Sequence, residues 1–205
     1  MSHTIRAVGE AKSVPRRRVL AIAGTWMLAG PLTSPATSQP AAESTTGWVL
    51  PRRPAPTMAL TGTDGRITTL PAALTGKVSA VQLMFTGCGT TCPTQGALFA
   101  AVADSLRTSD IQLLSISIDV LGDTPARLRE WQGRFGKHPS WRAALADSLQ
   151  VDRLAEFMKG ASANPGTHTA QVFVFDRSAQ LCYRSADSPL LGDVQALLAH
   201  VRTAG

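Results

Sequence analysis

Three cysteines stand in the 205-residue chain, and two of them are spaced for chemistry. Cys88 and Cys92 fall four apart in Phe85-Thr86-Gly87-Cys88-Gly89-Thr90-Thr91-Cys92-Pro93. Residues at i and i+4 share one face of a helix. Pro93 has no amide hydrogen and suits an early helical position, so the motif reads as a helix start. The partial positive charge of a helix N-terminus favours thiolates. The spacing therefore suits either a disulfide or two thiolates on one soft metal. A purely structural disulfide would close a very short loop and would constrain the unfolded chain only modestly. Cys88 and Cys92 are thus the candidate redox pair and candidate metal ligands. Cys182, the odd thiol, reads as a small core hydrophobe.

The elements around the pair must hold it between the end of a buried strand and the start of a helix. Val78 to Phe85 is a mostly apolar run, as expected of a buried central strand, and the cysteine loop follows at once. Thr94 to Leu106 has helical spacing, with Leu98, Ala101, Val102 and Leu106 on one face. Upstream, Met58 to Leu70 reads as a hairpin turning at Asp64-Gly65. Downstream, Ile111 to Ile118 is a second strand, ended by Asp119. Thr124-Pro125 starts a helix, with threonine as N-cap and proline at the first helical position, and that helix runs to about Phe135. Ser148 to Lys159 is a further helix, with Leu149, Leu154 and Phe157 as core positions. Gln171 to Phe175 and Leu181 to Arg184 form a second hairpin, and Leu191 to Arg202 closes with a helix. Helices between strands imply an α/β protein whose sheet has parallel members and helices on its faces, and the last hairpin makes that sheet mixed.

Composition narrows the function. Hydrophobic residues make up 44% of the chain, enough for a buried core. The net charge is +6. Residues 1–38 hold five basic residues and one acid, so most of that excess sits in the N-terminal extension. The remainder has no basic stripe with interleaved aromatics, so nucleic acid is not an expected partner. Residues 1–18 are polar and basic, Val19 to Gly30 is uncharged and mostly apolar, and small residues follow. This is the layout of an export signal, and Arg16-Arg17-Arg18-Val19-Leu20 resembles a twin-arginine motif. An uncleaved N-terminal anchor and a mitochondrial targeting peptide are the other readings. The domain is expected in the periplasm or at the outer face of the bacterial inner membrane, with a membrane tether if the signal is retained. Three segments are expected: an export signal or anchor over 1–38, a Pro-rich linker over 39–57, and a single domain over 58–205.

The cysteine segment resembles the C-x-x-x-C-P motif of the Sco/SenC family, copper chaperones for the binuclear copper site of cytochrome c oxidase. Ser115-Ile116-Ser117-Ile118-Asp119, then Asp123-Thr124-Pro125-Ala126-Arg127-Leu128, is similar to that family's strand, aspartate and D-T-P-x-x-L helix. Trp141 falls where the family often has tryptophan. His168-Thr169, followed by Val172 to Asp176, resembles its ligand histidine and the strand after it. The likeness covers roughly residues 58–200, and it departs from the family pattern at Thr167, where an aspartate is common, and at the Gly89-Thr90-Thr91 insert. The resemblance implies a thioredoxin-like mixed sheet flanked by helices, with an N-terminal hairpin. It also implies a copper site, Cu(I) or Cu(II), made by Cys88, Cys92 and His168.

Two thiolates and an imidazole suit copper better than magnesium, calcium or manganese. Structural zinc normally takes four protein ligands, and only three are evident. The other histidines, His3, His138 and His200, compete poorly. The expected partners are the copper-site subunit of cytochrome c oxidase and a thiol–disulfide reductant. The alternative is an enzyme, a metal-independent thiol–disulfide oxidoreductase of the cell envelope, which needs only Cys88 and Cys92. A peroxiredoxin-like peroxidase fits less well, because Thr86-Gly87-Cys88 is one residue short of Thr-x-x-Cys.

Overall fold

A computed structural model describes residues 45–159 and 169–204. The expected signal over 1–38 and His168 lie outside these described residues. The described chain folds into one eight-stranded sheet in the order β1-β8-β7-β4-β5-β6-β2-β3.

At its centre are β4 (Val78–Met84) and β5 (Ile111–Ser117), paired in parallel, with β6 (Trp141–Ala146) parallel to β5. Every residue of β4 and β5 is buried. Strands covered by helices on both faces are mostly apolar on both, and the polar residues within them, Ser79, Gln82, Gln112, Ser115 and Ser117, are buried with them. The outer strands run antiparallel. The hairpin of β2 (Ala59–Gly62) and β3 (Ile67–Thr69) joins through β6, and Gly65 turns it with φ of +79°. On the other side β7 (Phe173–Phe175) pairs with β4, and β8 (Gln180–Arg184) pairs with β7. The expected mixed α/β sheet, with its N-terminal hairpin, is the one observed.

Each face of the sheet carries its own core. Val81 and Leu83 of β4 pack with α1 (Leu70–Leu74) and α4 (Val151–Lys159). Ala80 and Met84 point the other way, toward α2 (Thr91–Ser105), α3 (Pro125–Gly133) and α5 (Leu191–Ala204). This alternation is the period-two geometry of a strand. Thr124 caps α3, its hydroxyl accepting from the Arg127 amide at 3.2 Å. Trp141 donates its indole N–H to Ser115 at 2.9 Å, and the same hydroxyl accepts from Gln82 at 2.7 Å.

Several expectations are corrected. Residues 47–54, read as linker, form strand β1 (Gly47–Pro54), which pairs with β8 along the sheet edge. Prolines are tolerated there because an edge strand leaves one row of amides unpaired. Strand β6 and helix α1 were not expected. The buried face of α2 is carried by Cys92, Gln95, Gly96, Phe99, Val102 and Ala103, so Leu98 and Ala101 flank the core rather than fill it. Helix α4 begins at Val151, and Leu149 is 93% exposed in the turn before it, whereas Leu154 and Phe157 are buried as expected.

Candidate metal centre

The central parallel strand β4 delivers the chain to the carboxyl end of the sheet's parallel strands, where open α/β sheets gather their sites. The turn that follows is closed by the Cys88 amide, which donates to the Phe85 carbonyl at 3.2 Å. Helix α2 then begins at Thr91, with Thr90 at the N-cap position, yet the Thr90 side chain makes no capping bond. Cys88 supplies the acceptor instead: its Sγ takes the amide of Cys92 at 3.4 Å. Its Sγ also lies 3.9 Å from the Thr90 hydroxyl. A sulfur in this position sits at the positive end of the helix.

The two sulfurs differ sharply. Cys88 is half-buried and Cys92 is fully buried, and neither is disulfide-bonded. Burial by itself pushes the Cys88 thiol up. The backbone hydrogen bonds from Cys92 and Thr90, followed by contacts with those side chains, outweigh it and bring the thiol down from 9.0 to about 7. At Cys92 burial dominates and pushes the thiol up to about 12, against a lowering hydrogen bond from the Phe85 backbone. The neighbouring Cys88 and the carboxylate of Asp123 push it in the same upward direction. The pair therefore consists of an accessible thiol poised to ionise near neutral pH and a buried partner held protonated.

Asp123 is the residue of this site whose role the sequence did not reveal. It is buried, and its Oδ2 accepts from the Thr86 amide at 2.9 Å and from the Ser117 hydroxyl at 2.6 Å. The Thr86 hydroxyl donates to its Oδ1. One carboxylate thus ties the end of β5 to the loop that carries Cys88. The signal available was an aspartate just ahead of the Thr124-Pro125 helix start, but its partner is 37 residues away. Asp119 has a local role, accepting from the Gly122 amide at 2.8 Å to close the same turn.

The structure brings Cys88 and Cys92 together, with the Cys92 amide on Cys88 Sγ at 3.4 Å. Among the described residues no group of three His, Cys, Asp or Glu side chains could hold a metal ion. His168, the expected third ligand, lies outside the described residues. Of the competing histidines, His138 pairs with Asp104 at 3.2 Å and packs on Trp141, and His200 packs on Trp48. Cys182 is buried in β8 and donates its thiol to the Val174 carbonyl at 3.2 Å, and burial pushes it up to about 11. It belongs to the core.

A comparison with protein families finds that residues 55–189 match the SCO1/SenC model. The chain belongs to the SCO1/SenC family. Solved Sco structures share its fold. A SCO1/SenC family lipoprotein from Bacillus anthracis is 20% identical, with a TM-score of 0.62 over 75% of this chain and 99% of that one. Yeast Sco1 with copper bound is 20% identical, with a TM-score of 0.60 over 73% and 93%. BsSco, described with a disulfide switch and as a member of the Sco family of cytochrome c oxidase assembly proteins, is 18% identical, with a TM-score of 0.62 over 76% and 96%. Among curated proteins none matches significantly in sequence. No helix among the described residues of this Sco chain is long and apolar enough to cross a membrane.

Proposed function

We propose that this chain is a copper-binding metallochaperone that delivers copper to the binuclear copper site of cytochrome c oxidase, or prepares the thiols of that site. The observation that carries the reading is the Cys88–Cys92 pair at the start of α2, with the Cys88 sulfur on the Cys92 amide and its thiol lowered to about 7. Two thiolates, one in the loop before α2 and one in its first turn, are a soft donor set that fits Cu(I). Copper here is cargo, so the site needs a ligand it can surrender. Cys88, the half-buried member, is that ligand, and Cys92 is the fully buried anchor. His168 is proposed as the third. Ala170, two residues further along the chain, lines the same groove as Thr90 and Thr91. Family membership and the copper-bound yeast Sco1 agree with this reading.

The test is a chelator-competition titration of the reduced protein with Cu(I). One equivalent should bind tightly, and Cys88→Ser and Cys92→Ser should each abolish tight binding. His168→Ala should weaken it, and unchanged affinity in that variant refutes the three-ligand site.

A second reading, thiol–disulfide exchange on the same client, is favoured by the unequal thiols. The Cys88 thiolate attacks a client disulfide and forms a mixed disulfide, releasing one client sulfur as thiolate. Cys92 then gives its proton to the departing client sulfur and attacks Cys88, forming the Cys88–Cys92 disulfide and freeing the second client sulfur as a thiol. The periplasm or the outer face of the inner membrane is the proposed location, and a thiol reductant is the proposed partner that resets the pair.

A further inference from the structure

Beside the cysteine turn lies a groove of about 540 Å³. One wall is the start of α2, with Thr90, Thr91, Gln95 and Leu98, and the other is the approach to α5, with Leu190 and Leu191. Leu190 is 72% exposed and Leu191 38%, although both are large and apolar. Gln95 is only 2% exposed, yet neither its Oε1 nor its Nε2 has a hydrogen-bond partner among the described residues. Buried amides are normally satisfied, so this one marks a place that something else completes.

The chemistry of the occupant follows from the lining. No residue lining the groove is charged, which disfavours a charged peptide or an ionic small molecule. A carboxamide offers one acceptor oxygen and a donor nitrogen side by side, and it matches the C=O and N–H of a peptide backbone. The apolar walls match aliphatic side chains. The groove is also continuous with the reactive sulfur, because Thr90 lines it and lies 3.9 Å from Cys88 Sγ.

We propose that this groove receives an extended, uncharged segment of the client that carries a cysteine, with Gln95 pairing to the segment's backbone and Leu98, Leu190 and Leu191 holding its apolar side chains. The proposal rests on the reading of Cys88 as the sulfur that meets a client cysteine. Bound this way, the segment presents its sulfur to Cys88 with its chain direction fixed. Where that sulfur is part of a disulfide, Cys88 thiolate forms the new S–S bond, and the displaced sulfur leaves with the electron pair as a thiolate. Cys88 is oxidised and the leaving sulfur is reduced.

The probe is a short uncharged synthetic peptide with leucines beside its cysteine, the thiol carried as a 2-thiopyridyl disulfide. Release of pyridine-2-thione from the peptide on reaction with the reduced full chain is followed against peptide concentration. The rate should saturate. Gln95→Met, which keeps the bulk and removes the amide, should raise the half-saturating concentration by about tenfold, the worth of one well-made hydrogen bond pair. Leu190→Asp should weaken binding from the other wall, at a position exposed enough to leave the core intact. Neither change should alter the rate with 2,2′-dipyridyl disulfide, which needs Cys88 and no groove. Rates that rise linearly with peptide and respond to neither substitution overturn the groove. So does saturation that weakens as protein concentration rises, which would assign the groove to a second copy of the chain. Failure of the thiol reading looks different: Cys88→Ser would then leave both reagents reacting as before.

Discussion

The unequal thiols give the sharpest expectation. Cys88 has its thiol at about 7 and Cys92 at about 12, against 9.0 for an unperturbed cysteine. At pH 7.5 about three-quarters of Cys88 is then thiolate, whereas Cys92 is ionised in only about 3 molecules in 10⁵. Alkylation needs the thiolate, so the ratio of reactive species is on the order of 10⁴ in favour of Cys88. Iodoacetamide on the reduced protein, followed by peptide mass analysis, should therefore give a single adduct at Cys88. Its rate should climb with pH to a plateau, with a midpoint near 7, while Cys92 stays unmodified through pH 9. The linkage to stability has two signs. Cys88, with its folded value lowered, contributes stability that is full above pH 9 and lost as pH falls through 7. Cys92, with its folded value raised, contributes stability that is full below pH 9 and lost as pH rises toward 12. Reduced protein should thus gain stability from pH 7 to 9 and lose it above. Equal labelling of the two cysteines, or a Cys88 midpoint at 9, refutes the helix-start account of the pair.

Other outcomes follow from the contacts around the pair. Asp123→Asn should destabilise the protein by about 2 kcal/mol in urea unfolding, because the three hydrogen bonds that Thr86 and Ser117 donate to a carboxylate are weakened or lost. The same change should lower the Cys92 thiol, since the charge that helps to raise it is gone. Gly96→Ala would place a methyl 2.4 Å from the Phe135 ring, and the overpacking between α2 and the end of α3 should cost about 1–3 kcal/mol, read from the same unfolding curve. Cys182→Ala should cost about 1–2 kcal/mol through lost core volume and leave the pH profile of Cys88 alkylation unchanged.

What the sequence made legible was local. The runs that became β4 and β5 are mostly apolar because both faces are covered, and Asp64-Gly65 and Thr124-Pro125 carry turn and cap chemistry in the residues themselves. Strand β1 escaped because only Val49 of its eight residues is buried, and Pro51 and Pro54 mimic a linker. Strand β6 escaped because Arg142 interrupts a short run, although its guanidinium reaches the Gln112 side chain at 2.8 Å. In α2 the alanines make several helical faces look equally apolar, and the position of Phe99 against Trp141 selects the buried one. The cysteines could be found by spacing, since their partner is the helix start they share. The Asp123 clamp could not, because Thr86 lies 37 residues from it, and neither could Gln95, whose amide has no hydrogen-bond partner among the described residues.

The central claim is that Cys88 and Cys92 are copper ligands with His168 as the third. X-ray absorption at the copper edge of the Cu(I)-loaded full chain tests it most directly. The account predicts two sulfurs and one imidazole nitrogen around each copper, with the nitrogen lost in His168→Ala and a sulfur lost in Cys88→Ser. A copper shell without sulfur, or one unchanged by Cys88→Ser, would contradict it.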